Sequence, residues 1–254
     1  MTLPWAAAAL ATIFAQQPAR STPPPRPDSP FSHLITNLAA DARAIASPDT
    51  LLVLVAGGAG ALAVHNSNDQ RTYDWVQKQT PTSTVADLGN VMGNEAVQSG
   101  ASLAVWIAGR ATQNVKAEAL GADLIRAHVL NGVVTTSLKY ATQRQRPSGS
   151  NLSFPSGHTS SSFTTAAVIQ NHYGLLAALP AYAVGGVVAY ARIRTNHHWL
   201  SDTVFGATIG IVAGRAATRH NAGAWAVTPV KTPGGVAVYV TRTSTSRTAS
   251  PARR

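Results

Sequence analysis

The chain has 254 residues, 45% of them apolar, with 20 Lys and Arg set against 10 Asp and Glu. That length and apolar share suffice for one domain with a sizeable core. The absence of cysteine excludes disulfides and thiolate metal sites, and a net charge of +10 calls for an anionic partner. Only 12% of the residues are charged while small residues abound, so the expected class is all-α, a bundle of closely packed helices. Nucleic acid is not the expected partner. The basic residues are scattered, and no helix-turn-helix, zinc finger or aromatic-basic sheet pattern accompanies them.

From the N-terminus, Leu3 to Ala15 is an apolar stretch followed by polar residues, with Ala15 as a small cleavage position, so residues 1–15 read as a signal peptide. The departure is that no Lys or Arg precedes the stretch; Arg20 is the first basic residue. Residues 16–30, QQPARSTPPPRPDSP, are too rich in proline to propagate a helix and form an extended linker. These two segments predict export to the periplasm or cell envelope.

A helical domain is expected over residues 31–220. Leu34, Leu38, Ala42 and Ile45 recur at helical spacing until Pro48 stops them, and a second helix, Leu51 to His65, is apolar all round. A polar linker containing Trp75 follows. Helical patterns resume at Val85 to Met92, Ala101 to Thr112 and from Asn114 to about Arg144, the last with Leu120, Leu124, Val134 and Leu138 on its buried face. Further helices are expected at 158–171, 174–192 and 202–217, separated by the loops 145–157 and 193–201. Residues 221–242 alternate with period two on either side of Lys231 to Gly234, the pattern of a small β-hairpin, and residues 243–254 form a polar, basic, disordered tail.

The run from Gly174 to Ala191 reaches the roughly 18 residues of a membrane span, but Pro180 and Gly185-Gly186 interrupt it. With a mean hydropathy of +0.03, the domain is expected to be secreted or peripheral to a membrane, with a membrane-embedded, multi-spanning arrangement as the alternative.

Residues 139–202 carry the chemistry. Lys139 is followed after six residues by Arg146-Pro147; a compact ammonium and a planar guanidinium fork in one concavity suit phosphate oxygens. Next comes Phe154-Pro155-Ser156-Gly157-His158 at the start of a polar helix. There Gly157 allows close approach of the backbone to an anion, Ser156 offers a hydroxyl and an amide, and the helix start presents unpaired N–H groups. Arg192 is followed after five residues by His198, and His198 after three by Asp202. A carboxylate about one turn from an imidazole fixes its tautomer and leaves Nε2 free to attack phosphorus. Each element alone has an ordinary alternative: a helix-end cation, an N-cap, or a surface histidine beside His197.

Together, KYATQRQRP, FPSGH and ARIRTNHHWLSD resemble the three signature motifs of the type 2 phosphatidic acid phosphatase and vanadium haloperoxidase superfamily. The resemblance implies the helical fold of that family and a phosphatase acting on phosphate monoesters or diphosphates, in particular those of lipids. It makes His198 the nucleophile, in preference to His197, Asp202 its partner and His158 the acid that protonates the leaving oxygen. Lys139, Arg146, Arg192, Ser156 and Gly157 become phosphate-binding residues. It implies neither metal nor cofactor. Ala191 stands where the family usually has serine, which removes one hydroxyl contact. Two other readings compete: a vanadate-dependent haloperoxidase using the same residues, which the short chain and export signal disfavour, and a non-enzymatic basic protein that adheres to anionic membrane surfaces.

Overall fold

The computed structural model describes residues 34–65, 67–79, 83–219, 225–232 and 235–242. The expected signal peptide, Pro-rich linker and basic tail lie outside the described residues. Among those described, helices α1 (Leu34–Ile45), α2 (Pro48–Val64), α3 (Ser67–Lys78), α4 (Ser83–Gly93), α5 (Glu95–Ala111), α6 (Val115–Thr142), α7 (Gly157–Tyr173), α8 (Leu175–Arg194) and α9 (Leu200–Thr218) make up the domain. The all-α class rests on these helices. Strands β1 (Trp225–Thr232) and β2 (Gly235–Arg242) pair with each other in antiparallel register, Trp225 opposite Arg242 and Thr232 opposite Gly235.

Two local expectations change. Pro48 does more than stop α1: it sits at the start of α2, where its missing N–H costs no hydrogen bond. The polar linker around Trp75 is the helix α3. Apart from Val76 it buries little apolar surface, and polar contacts hold it instead: Tyr73 Oη and Gln77 Nε2 both donate to Asn196 Oδ1 at 3.0 Å. Such a helix carries too few apolar residues for its apolar face to be recognised in sequence.

The centre of the bundle is α7, packed against α6, α8 and α9, with α5 laid on α6, α4 on α8 and α2 on α9. Helices α7 and α9 meet through a stripe of small residues. A Cβ on Gly206 would stand 2.6 Å from the Ser156 carbonyl oxygen, one on Gly210 2.2 Å from that of Ser160, and one on Gly214 2.7 Å from Ala167 Cβ. The backbones therefore approach more closely than larger side chains permit. At the break between α7 and α8, Gly174 adopts φ +89°, a conformation glycine takes without strain.

The long helix α6 buries Leu124 and partly buries Leu120, Val134 and Leu138, but its buried face is also strongly polar. Glu118 accepts from Arg110 at 2.9 Å, Asp123 pairs with His172 at 2.9 Å, and the His128 ring sits between Ser161 and Thr165. Burial without such partners would be expensive. On the outside, Leu51, Leu52, Val55 and Leu62 of α2 and Leu175, Leu176 and Leu179 of α8 are exposed. Among the described residues α8 is long and apolar enough to cross a membrane, and Asn37–Ile45 with α2, bent by 60°, meets the same criterion as a pair.

Candidate active site

Four helix ends and two loops converge on one pocket. Lys139 projects from the last turn of α6, where its Nζ donates to the Leu152 carbonyl at 2.9 Å. Arg146 lies in the loop that follows, folded by Arg146 N to Ser150 O at 2.7 Å and tied to the neighbouring loop by Ser148 N to Asn196 O at 3.2 Å. Gly157 and His158 open α7. Arg192 comes from the last turn of α8 and donates to Asn90 Oδ1 at 2.8 Å. His198 sits between α8 and α9, its amide bonded to the Arg192 carbonyl at 3.2 Å. These six residues, with Asn94 and Glu95, line a cavity of about 250 Å³. The Nε–H groups of Arg146 and Arg192 are buried without a hydrogen-bond partner.

Asp202 lies behind His198, fully buried at the start of α9. Its Oδ2 accepts from Ser153 Oγ at 2.5 Å and from the Trp199 amide at 2.8 Å, and its Oδ1 from Arg144 Nη1 at 2.5 Å. His198 Nδ1 stands 3.6 Å from Asp202 Oδ2, within ion-pair range but beyond a hydrogen bond, and has no other partner. The carboxylate is thus already engaged by three donors, and the contact to the ring is loose, a common state of a catalytic hydrogen bond before substrate arrives. Nδ1 faces Asp202, so Nε2 is the nitrogen left for the pocket.

Ser156 does not stand where the sequence placed it. It is fully buried, its Oγ accepts from the Thr159 amide at 3.4 Å as the N-cap of α7, and its own amide donates to the Asp202 carbonyl at 3.0 Å. The hydroxyl serves as the helix cap, and Gly157, not Ser156, lines the cavity.

Two residues behind the site had no signal in the sequence. Arg144 bridges Asp202 and Asp69, the latter from Nη2 at 2.8 Å, and also donates to Ser201 Oγ at 2.7 Å. Asp69, on α3, accepts from the Ser201 amide and hydroxyl, both at 2.7 Å. Arg144 and Arg146 stand two apart in one motif, and only the geometry separates the one behind Asp202 from the one in the pocket.

Burial lowers the His198 pKa to about 4 against the pull of Asp202, with Lys139 and Arg192 adding to the depression, so the ring is neutral at pH 7. Burial would raise Asp202, but the His198 ring, the Ser153 hydroxyl, Arg144 and the Trp199 amide outweigh it and hold the carboxyl below its usual range. His158 falls to about 3 through burial and then the charge of Arg192 and its neighbours, and Lys139 to about 8 through burial and then Arg146. The pocket is strongly cationic and disfavours any further proton.

A neutral imidazole backed by a carboxylate, facing cations and a second histidine across a small cavity, is equipped for phosphoryl transfer. The segment that builds it, residues 121–225, matches the PAP2 superfamily. That match covers 105 of the 254 residues. Over 99 residues, 37% of its length, the chain is 34% identical to the lipid A 1-phosphatase of Porphyromonas gingivalis strain ATCC 33277, and the match spans 22% of that relative. The crystal structure of Aquifex aeolicus LpxE has the same fold, with a TM-score of 0.52 at 21% identity over 61% of this chain and 97% of that one. All three signature motifs lie inside the PAP2 segment.

Proposed function

We propose that this protein is a PAP2-type lipid phosphatase that hydrolyses terminal phosphoryl groups through a phosphohistidine. The single observation that carries the reading is the convergence of Lys139, Arg146, Gly157, His158, Arg192 and His198, from three separated motifs, on one cavity. His198 Nε2 attacks phosphorus as the bond to the leaving oxygen breaks, and His158 delivers the proton that oxygen needs. Water then attacks the phosphohistidine, the P–N bond breaks, the water's proton returns to His158, and inorganic phosphate leaves. Lys139, Arg146, Arg192 and the start of α7 neutralise the phosphoryl oxygens as charge builds on them. Asp202 holds the His198 ring in the attacking tautomer.

The lipid character of the substrate is supported by the lipid A 1-phosphatase relative and by the exposed apolar side chains of α2 and α8, which suit contact with a bilayer. The same reading assigns catalysis to residues 31–220, with residues 1–15 as export signal and 16–30 as a tether at the cell envelope.

Release of inorganic phosphate from lipid and soluble phosphates, with and without detergent, tests the proposal. In His198→Asn turnover falls at least ~10³-fold, the scale of removing a nucleophile. An unchanged rate refutes the assignment. Vanadate inhibits hydrolysis and supports no peroxide-dependent bromination.

A further inference from the structure

Helix α3 carries three polar side chains, Asp69, Tyr73 and Gln77, at intervals of four residues. That spacing sets them in one row along the helix, and the row lies along the stretch from the end of α8 to the start of α9 that holds His198, in the opposite direction. Asp69 meets Ser201, the Tyr73 ring centroid lies 5.7 Å from that of Trp199, and Gln77 reaches residues 193–196. Asp69 serves Arg144 and so stands behind Asp202. Gln77 has no part in the mechanism.

Its contacts are nonetheless dense. Gln77 Nε2 donates to Asn196 Oδ1 at 3.0 Å and faces the Arg194 and Ile193 carbonyls at 3.3 and 3.4 Å, while its Oε1 accepts from Arg194 Nη1 at 2.5 Å. Tyr73 Oη donates to the same Asn196 Oδ1 at 3.0 Å. Asn196 sits at φ +61°, in the left-handed region that asparagine enters more readily than most residues, and the two donors fasten its side chain there.

These contacts act on the two guanidiniums of the cavity. Ile193 and Arg194 directly follow Arg192 on α8, and the Asn196 carbonyl accepts from Ser148 N, in the loop that carries Arg146, at 3.2 Å. Arg146 and Arg192 are like charges lining one cavity, and each opposes the other. Their approach has to be enforced by the backbone beneath them, and Gln77 bonds to the backbone on which both depend. We infer that Gln77 is a positioning residue for phosphate binding, setting through residues 193–196 how Arg192 and Arg146 stand across the cavity. This assignment rests on the phosphatase reading above.

The test uses the full chain in detergent, with phosphate release as the assay and vanadate as competitor. Gln77→Leu keeps most of the side-chain bulk and removes its donor and acceptor. KM and the vanadate inhibition constant then rise roughly tenfold, the scale of one or two lost hydrogen bonds. Tyr73→Phe, which loses only the hydroxyl bonded to Asn196, moves both in the same direction by about threefold, and it decides alone where Gln77→Leu does not fold. A role in packing only lowers the thermal midpoint and leaves KM and vanadate inhibition at their wild-type values; that result overturns the inference. So does a fall in kcat alone, the pattern expected of Arg144. If the wild type releases phosphate from none of the substrates, the phosphatase reading fails, and calorimetric binding of inorganic phosphate decides the role of Gln77 separately. Gln77→Leu then weakens phosphate binding about tenfold, and unchanged affinity overturns the inference.

Discussion

Arg144 offers the sharpest test of how the site is built. Replacing it with methionine keeps the aliphatic bulk of the side chain and removes the guanidinium that bridges Asp202 and Asp69. Both carboxylates are buried, at 0% and 2% exposure, so neither gains water in exchange. Removing one partner of a buried ion pair costs about 3–5 kcal/mol. The Arg144 side chain is itself 21% exposed, so solvent screens one flank and about 3 kcal/mol is the better expectation. In a domain of this size that lowers the thermal midpoint by about 6–12 °C.

The pH dependence separates this loss of charge from a loss of packing. Asp202 titrates below its unfolded value in the native protein, so its ionisation contributes stability above the unfolded pKa and that contribution is lost as pH falls through the folded one. Without Arg144 the folded pKa rises and the loss begins at higher pH. The stability gap between wild type and Arg144→Met is therefore widest near neutrality and narrows as the solution is acidified and Asp202 takes up its proton. Turnover falls with little change in KM, because Arg144 acts on His198 through Asp202 and does not touch substrate, and Arg144→Lys restores part of both. Thermal denaturation in detergent from pH 4 to 8, paired with phosphate release, reads all of this. A pH-independent stability gap, or an unshifted midpoint with full activity, refutes the reasoning.

His158 is held near pKa 3 by burial and, added to it, by the surrounding cations; vanadate or phosphate entering the pocket offsets the cations, so binding raises that value and draws in a proton; calorimetry in buffers of differing ionisation enthalpy measures the uptake, and His158→Gln abolishes it. Gly210→Ala drives a methyl group against the Ser160 carbonyl and Phe163 Cβ and lowers stability by about 1–3 kcal/mol in the same thermal assay.

What was legible in the sequence was the chemistry that demands particular residue types. A phosphate pocket needs cations, a close-approach glycine and a placed imidazole, and those needs show as short spacings within residues 139–202. The support behind them was not legible. Asp69 reaches Ser201 and Arg144 only because α3 lies across the start of α9, a juxtaposition set by tertiary packing and carried on a helix whose composition resembles a loop. Ser156 shows the opposite failure: the motif located the residue, but the same hydroxyl serves equally well as a helix cap, and the cap won. The tight meeting of α7 and α9 was foreshadowed only as an excess of small residues, with no indication of which glycines face which carbonyls.

The interlock between those two helices divides the protein into a fixed part and a replaceable one. Because Gly206 and Gly210 seat α9 against the opening turns of α7, and the Ser156 amide is fastened to the Asp202 carbonyl, Asp202 behind His198 and the opening turn of α7 form a single block. The corner at Gly93, Asn94 and Glu95 belongs to other helices and meets that block only from outside. A lineage could recast this corner while inheriting the reaction centre intact.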